Sequence, residues 1–154
     1  MVIYMKAIET ALSLTQAYKL GIERFEKMLG NEFAKAVESM NNTSTHIIVC
    51  GMGKSGLVGR KISSTLASTG TPSIFLHPAE AIHGDLGKVQ KNSVVLLISY
   101  SGETGEIIAL IPAFKRLDVN IIALTGVKNS TLANISDIVL DTSVDREACP
   151  LNLA

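Results

Sequence analysis

The sequence has no excess of charge of either sign. Its 14 basic and 14 acidic residues cancel, so the composition argues against a nucleic acid or an anionic membrane as partner and leaves any anion binding to a local site. No apolar run approaches the roughly 20 residues that a membrane helix requires. The N-terminus has no apolar stretch with a cleavage site typical of a signal peptide. We therefore expect a cytoplasmic protein.

Cysteine is scarce, with only Cys50 and Cys149 in 154 residues. The two do not have the spacing of metal ligands, and we interpret both as reduced thiols. The composition is 47% hydrophobic and 18% charged, which is typical of a globular chain and not of a disordered one. The length is close to that of one domain and suffices to bury a core without disulfides or metal ions.

Proline is absent from residues 3–40, where apolar side chains recur at roughly helical spacing. This pattern predicts a long helix followed by a shorter one, with a break at Gly30-Asn31. We treat residues 1–44 as an N-terminal helical lead. Its apolar face packs either on the rest of the chain or on another subunit, and the pattern leaves both possibilities open.

Short apolar runs alternate with helical stretches from residue 45 onward, and this alternation predicts a parallel sheet covered on both faces. The predicted strands span residues 46–50, 73–76, 94–98, 120–124 and 138–140, and the predicted helices span residues 54–68, 106–117 and 131–135. We expect residues 45–154 to form an α/β domain, a three-layer αβα sandwich. Its five-stranded parallel sheet would have the flavodoxin-like order 2-1-3-4-5.

Two unusual loops follow the first and third predicted strands. Residues 51–56 read Gly-Met-Gly-Lys-Ser-Gly, and residues 99–104 read Ser-Tyr-Ser-Gly-Glu-Thr. In the predicted sheet the winding reverses between these two strands, and ligands bind beyond the carboxyl ends of the strands at such a point. Backbone amides at a helix start together with hydroxyl groups suit a phosphate, and the candidates are Gly53, Lys54, Ser99, Ser101 and Thr104. Ordinary helix capping is the alternative for either loop taken alone.

The first loop also fits the dinucleotide fingerprint Gly-x-Gly-x-x-Gly. However, the second predicted strand ends at Leu76-His77-Pro78 without the acid that would bind a ribose. The nucleotide P-loop pattern fails as well, because its first glycine would fall at Ile48. A small phosphate ester therefore fits better than a dinucleotide, and a nicotinamide-binding protein is an alternative class.

Residues 77–87 follow the second predicted strand and contain two histidines, two acids and two glycines. A histidine here could transfer protons near neutral pH, and a structural histidine in a capped loop is the alternative. A metal site is disfavoured because His77 and His83 do not share a helical face at this spacing. Residues 145–150 are polar, and their carboxylates could supply a base or belong to a solvated tail.

Together these residues resemble the sugar isomerase (SIS) domain and, more narrowly, the bacterial D-arabinose 5-phosphate isomerases. The stretches that carry the resemblance are residues 51–56, 67–72, 77–87, 99–104 and 147–151. The resemblance implies an aldose–ketose isomerisation between D-ribulose 5-phosphate and D-arabinose 5-phosphate through an enediol(ate), without a cofactor. The product would feed synthesis of 3-deoxy-manno-octulosonate, a sugar of lipopolysaccharide and capsules.

The resemblance also implies roles for individual residues. Those that match catalytic positions are Lys54, His83, Glu106 and Glu147, and those that match the phosphate cradle are Ser55, Ser99, Ser101 and Thr104. By analogy, Glu147 is the base, and Lys54 stabilises negative charge or holds the phosphate. His83 would serve ring opening or proton shuttling, and Glu106 would orient a hydroxyl group or Lys54.

Members of the family continue beyond the position of residue 154 with a closing helix that carries a further active-site histidine. We therefore expect this chain to be truncated before that helix. A regulatory module that binds a sugar phosphate without turnover is the alternative function. The resemblance further implies a homodimer or homotetramer with shared sites.

Overall fold

The computed structural model describes residues 2–151, with side chains from residue 4 onward. In chain order the elements are α1 (Val2–Met28), α2 (Asn31–Asn42), β1 (Ile47–Gly51), α3 (Gly53–Ser68), β2 (Ser73–Leu76), α4 (Pro78–Ile82), β3 (Val94–Ile98), α5 (Gly105–Ile108), α6 (Ile111–Arg116), β4 (Asn120–Thr125), α7 (Thr131–Ile135) and β5 (Ile138–Asp141). A 3-10 turn at Asp85–Lys88 follows α4. Across the described range, none of the helices combines the length and apolar character that a membrane span requires.

The chain divides into two compact units. One contains α1 and the segment that starts at Ser143, and the other is Asn31–Thr142. Helix α2 belongs to the larger unit with the sheet, because Ala36 is completely buried in the core there. The predicted domain boundary at residue 45 stays a prediction.

The sheet of the larger unit has the strand order β2-β1-β3-β4-β5, and all neighbouring strands pair in parallel. Every residue of β1 and β3 is buried, as expected for central strands that are covered on both faces. Both findings confirm the predicted flavodoxin-like sheet. The observed strand ends lie within one residue of the predicted ones.

Helices cover the two faces of this sheet because alternate side chains of each strand point to opposite sides. Residues from α4, α5, α6 and α7 pack on one face with Ile48, Val95 and Ile121. Residues from α2 and α3 pack on the other face with Ile47, Val94 and Ile122. The predicted three-layer αβα sandwich is thereby confirmed.

The prediction of one helix over residues 106–117 is wrong, because α5 ends at Ile108 and α6 begins at Ile111. Pro112 lies in the first turn of α6. Proline has no N–H group, and its ring crowds the carbonyl four residues earlier, here that of Ile108. The apolar period nevertheless continues across the break, since Ile107 and Phe114 are both fully buried in the same layer. Periodicity alone therefore suggests a single helix.

The smaller unit contains contacts between α1 and the segment from Ser143 onward. Arg24 forms an ion pair with Asp145 and donates to the Ser143 hydroxyl at 2.9 Å, and Arg146 donates to the Ser13 hydroxyl at 3.2 Å. Helix α1 also exposes a row of large apolar side chains, namely Tyr4, Met5, Ile8, Leu12, Tyr18, Leu20, Ile22 and Phe25.

Candidate active site

The point where the winding of the sheet reverses lies between β1 and β3. These strands are neighbours in the sheet, and Gly51 at the end of β1 is the register partner of Ile98 at the end of β3. The glycine turn (residues 51–56) and the serine loop (residues 99–104) therefore begin side by side at the carboxyl edge. Ligands of open α/β sheets bind at this place, and the structure confirms that the two loops share it.

The glycine turn is built by close approach of backbone to backbone. A methyl group on Gly56 would lie 2.7 Å from the carbonyl oxygen of Gly51, and one on Gly51 would lie 2.9 Å from the carbonyl oxygen of Ser55. Gly53 has a φ of +55°, a conformation that glycine adopts without strain. Positions 51, 53 and 56 thus require glycine for packing or for backbone geometry.

The turn directs the start of α3 toward the carboxyl edge of the sheet. This helix has 16 residues, and Met52 at its N-cap is extended and makes no capping hydrogen bond with its side chain. The amides of a first helical turn have no partner within the helix, and the helix dipole makes this end positive. Lys54 is exposed and Ser55 is half-buried in that first turn. A cationic side chain, a hydroxyl group and backbone amides thus lie together at this helix start, a combination that suits an anion.

The serine loop is held by hydrogen bonds between its own residues. The hydroxyl of Ser99, which is only 3% exposed, accepts from the Gly102 amide at 3.1 Å and shares a 2.7 Å hydrogen bond with the Thr104 hydroxyl. Ser101 is exposed, and its hydroxyl accepts from the Glu103 amide at 3.2 Å. Ser101 and Thr104 are thus more accessible than Ser99, whose direct contact with a phosphate stays a prediction.

Helix capping by this loop takes a different form from the predicted one. Thr104 is the N-cap residue of α5, yet its side chain makes no capping hydrogen bond to that helix. The carboxylate of Glu103 instead accepts at 2.7 Å from the amide of Thr131, at the start of α7. This hydrogen bond holds the pKa of the Glu103 carboxyl below its usual range.

The end of β4 and the start of α7 carry contact residues that the sequence reasoning missed. A methyl group on Gly102, whose φ is +66°, would lie 2.0 Å from the Ser130 hydroxyl oxygen, and one on Gly126 would lie 2.5 Å from the Tyr100 ring. A glycine after a strand and a serine before a helix are the signals present at these positions. Neither sequence signal predicts which loop the residue contacts.

His83 and Glu106 lie at the ends of neighbouring helices. His83 is the C-cap residue of α4 and is exposed in an open hollow with Glu80 and Asp85. Glu106 is exposed in the first turn of α5, and α4 contacts α5. Among the residues that the structure describes, no three His, Cys, Asp or Glu side chains form a cluster that could hold a metal ion.

The last predicted site residue along the chain is Glu147, and Cys50 carries a thiol beside the glycine turn. Glu147 is half-buried in the smaller unit, and its part in the site stays a prediction. Cys50 directly precedes the glycine turn but is fully buried, and burial raises the pKa of its thiol to about 12. The Cys50 thiol therefore stays protonated near neutral pH and does not serve as a nucleophile.

The fold and the site define a doubly wound α/β domain with a polar loop on each side of its switch point. The chain belongs to the SIS domain family, because the family's sequence profile matches residues 40–154. This match confirms the resemblance that the loop motifs indicate.

Several relatives match at high identity. The arabinose 5-phosphate isomerase KdsD of Pseudomonas aeruginosa is 54% identical over 126 residues, which are 82% of this chain and 39% of that protein. The arabinose 5-phosphate isomerase KpsF of Escherichia coli O6:H1 is 50% identical over 134 residues, 86% of this chain and 41% of that protein. The chain thus spans about two fifths of the length of these relatives.

A solved structure shows the same fold at substantial identity. It is an Escherichia coli CFT073 protein in complex with arabinose 5-phosphate, 36% identical to this chain, with a TM-score of 0.83. The superposition covers 99% of this chain and 80% of that one.

Proposed function

We propose that this chain carries the active site of an arabinose 5-phosphate isomerase, which interconverts D-ribulose 5-phosphate and D-arabinose 5-phosphate. The names of the relatives support arabinose 5-phosphate as a substrate, and D-ribulose 5-phosphate is its ketose isomer. The observation that carries the proposal is the pairing of Gly51 with Ile98, which brings the glycine turn and the serine loop to one edge of the sheet. A phosphate held by both loops would fix the reacting carbons of a short sugar.

The phosphate is proposed to bind between the two loops. The first-turn amides of α3 and the charge of Lys54 would attract the dianion. The exposed hydroxyl of Ser101 and the half-buried hydroxyl of Thr104 would donate to its oxygens. Ser99 would act mainly by fixing the loop, because its buried hydroxyl is shared with Gly102 and Thr104.

The isomerisation requires a base that removes the proton beside the carbonyl group and a cation or donor that stabilises the enediolate. We assign Glu147 as the base and Lys54 as the group that stabilises negative charge or holds the phosphate. His83 is assigned to ring opening or proton shuttling. Glu106 is assigned to orienting a substrate hydroxyl or Lys54.

The assembly, the location and the pathway belong to the same proposal. The exposed apolar side chains of α1 support self-association into a homodimer or homotetramer. A cytoplasmic location and a role in 3-deoxy-manno-octulosonate synthesis follow from the proposed activity. Size-exclusion chromatography with light scattering measures the oligomeric state directly.

The proposed activity is tested by incubating the chain with arabinose 5-phosphate and measuring formation of the ketose phosphate. Arabinose without phosphate is the control and should give no ketose. Protection against heat unfolding by arabinose 5-phosphate without turnover would instead indicate a binding module. Protection by NAD or NADP alone would indicate a nicotinamide-binding protein.

A further inference from the structure

The serine loop forms hydrogen bonds with a segment that lies about 25 residues further along the chain. This segment, residues 125–132, runs from the end of β4 to the first turn of α7 and is called the β4–α7 anchor here. The carbonyl of Tyr100 accepts from the Gly126 amide at 2.9 Å and from the Thr125 hydroxyl at 3.1 Å. The carbonyl of Gly102 accepts from the Leu132 amide at 3.0 Å. The backbone of the loop is thus held at two points.

Glu103 adds a contact between its side chain and the anchor. Its Oε1 accepts from the Thr131 amide at 2.7 Å, and the neighbouring Ser130 hydroxyl accepts from the Ala133 amide at 3.3 Å. With the Gly102 carbonyl, three oxygens thus satisfy the first three amides of α7, and two of them come from the serine loop. Such amides have no partner within their own helix, so an outside acceptor stabilises the helix start.

The position of Glu103 connects this contact to the proposed phosphate ligands. Glu103 stands between Gly102 and Thr104, and its own amide donates to the Ser101 hydroxyl at 3.2 Å. Fixing the Glu103 side chain therefore restricts the peptide units that carry the Ser101 and Thr104 hydroxyls. The hydrogen bond from the Thr131 amide also holds the Glu103 carboxylate at the anchor. This contact matters because a carboxylate and a bound phosphate are both negatively charged and repel each other.

We propose that Glu103 is a positioning residue that holds the serine loop in its phosphate-binding shape by accepting from the Thr131 amide. This inference rests on the proposed function and extends it to a residue that need not touch the reacting carbons. A positioning role predicts weaker binding of the sugar phosphate at a nearly unchanged rate of chemistry. A proton-transfer role would predict the opposite pattern.

The first test compares Glu103→Ala with Glu103→Gln by steady-state kinetics with arabinose 5-phosphate. The alanine variant loses the acceptor, and we expect its KM to rise about fivefold to tenfold, as for a lost N-cap or charged hydrogen bond. Its kcat should stay within about twofold. The glutamine variant keeps the acceptor oxygen, and its KM should stay within about twofold of the unaltered chain.

The matched control is Glu32→Ala. Glu32 is also an exposed helix-start glutamate, and it pairs with Lys35 on α2. We expect no change in KM for this variant. An unchanged KM in Glu103→Ala, a fall in kcat alone, or a glutamine variant as impaired as the alanine variant would each overturn the positioning role.

A second measurement does not depend on turnover. Amide hydrogen exchange of Gly102, whose N–H is bonded to the Ser99 carbonyl and hydroxyl, should be faster in Glu103→Ala than in Glu103→Gln. Equal exchange in both variants would overturn the positioning role even if the chain proves to be an isomerase. If the chain binds arabinose 5-phosphate without converting it, the proposed activity fails, and weaker binding by the alanine variant alone would still support the role of Glu103.

Discussion

The glycine turn and the serine loop lie at the same edge of the sheet but are built in different ways. In the glycine turn, backbone packs against backbone within six residues, because the side chains at positions 51 and 56 are missing. In the serine loop, side chains and carbonyl groups bond to partners up to 30 residues away. The difference suggests that the first loop depends on glycine at fixed positions, whereas the second depends on correct pairing of β3 with β4.

The largest expected effect comes from a variant that removes the proposed base and leaves the two phosphate-binding loops unchanged. If the loops bind the phosphate and Glu147 takes the proton, Glu147→Gln should lower kcat by about 1000-fold or more, since an amide is not a base at neutral pH. The dissociation constant for arabinose 5-phosphate should change by less than about threefold. Isothermal titration calorimetry and a ketose assay measure the two quantities. Unchanged turnover would remove Glu147 from the role of base.

Gly102→Ala should have the largest effect on stability among changes within the two loops. The new methyl group would overlap Ser130, and φ at this position is positive. We expect the free energy of unfolding to fall by about 3 kcal/mol, measured by urea denaturation. Gly105→Ala is the control, because no atom lies within 4 Å of its added methyl group. Equal effects of the two variants would contradict the packing of the serine loop on the β4–α7 anchor.

Lys54 carries the positive charge of the glycine turn, so its removal tests the turn's electrostatic contribution. Lys54→Gln should lower kcat/KM by about 100-fold, the usual size of a lost group that stabilises transition-state charge. Lys61→Gln, also exposed on α3, is the control and should leave kcat/KM unchanged. A similar loss in both variants would mean that only the overall charge of α3 matters.

Gly56→Ala tests the close packing of the glycine turn. Alanine normally stabilises a helix by about 1 kcal/mol relative to glycine, but here its methyl group would lie 2.7 Å from the Gly51 carbonyl oxygen. We expect a net destabilisation of about 1 kcal/mol, since overpacking outweighs the helix propensity. The exposed Ser64→Ala on the same helix should instead be neutral or slightly stabilising. The midpoint of thermal unfolding compares the two variants. A higher midpoint for Gly56→Ala would show that the turn accommodates the added methyl group.

The smallest expected effect is a pH dependence of stability caused by Glu103 in the serine loop. The hydrogen bond from the Thr131 amide lowers the pKa of Glu103 in the folded chain. The stability that the Glu103 carboxylate contributes is therefore complete above the ordinary glutamate pKa of about 4.3. This stability is lost as the pH falls through the lower pKa of the folded chain. The urea midpoints of the unaltered chain and of Glu103→Gln should therefore differ by a constant amount from pH 7 to about 5 and converge below about pH 4. A constant difference down to pH 3 would contradict the assignment.

Much of the fold could be predicted because its signals are local. The β-branched runs, the glycine spacing at residues 51–56 and the alternation of strands with helices each depend on neighbours within a few residues. The break between α5 and α6 escaped prediction although Pro112 is visible in the sequence, because the apolar period continues across it. Proline in a first helical turn is compatible with a new helix as well as with a kink.

The sequence by itself determined the strands, the glycine turn and the serine loop as local elements, since short-range periodicity and backbone sterics act within single elements. Only the tertiary structure decided that Glu103 binds Thr131, that Gly102 packs on Ser130 and that the Ser99 hydroxyl is buried. The Glu103 and Gly102 contacts join residues 28 apart in the chain. Their partners meet only after β3 and β4 have paired, so no local pattern identifies them.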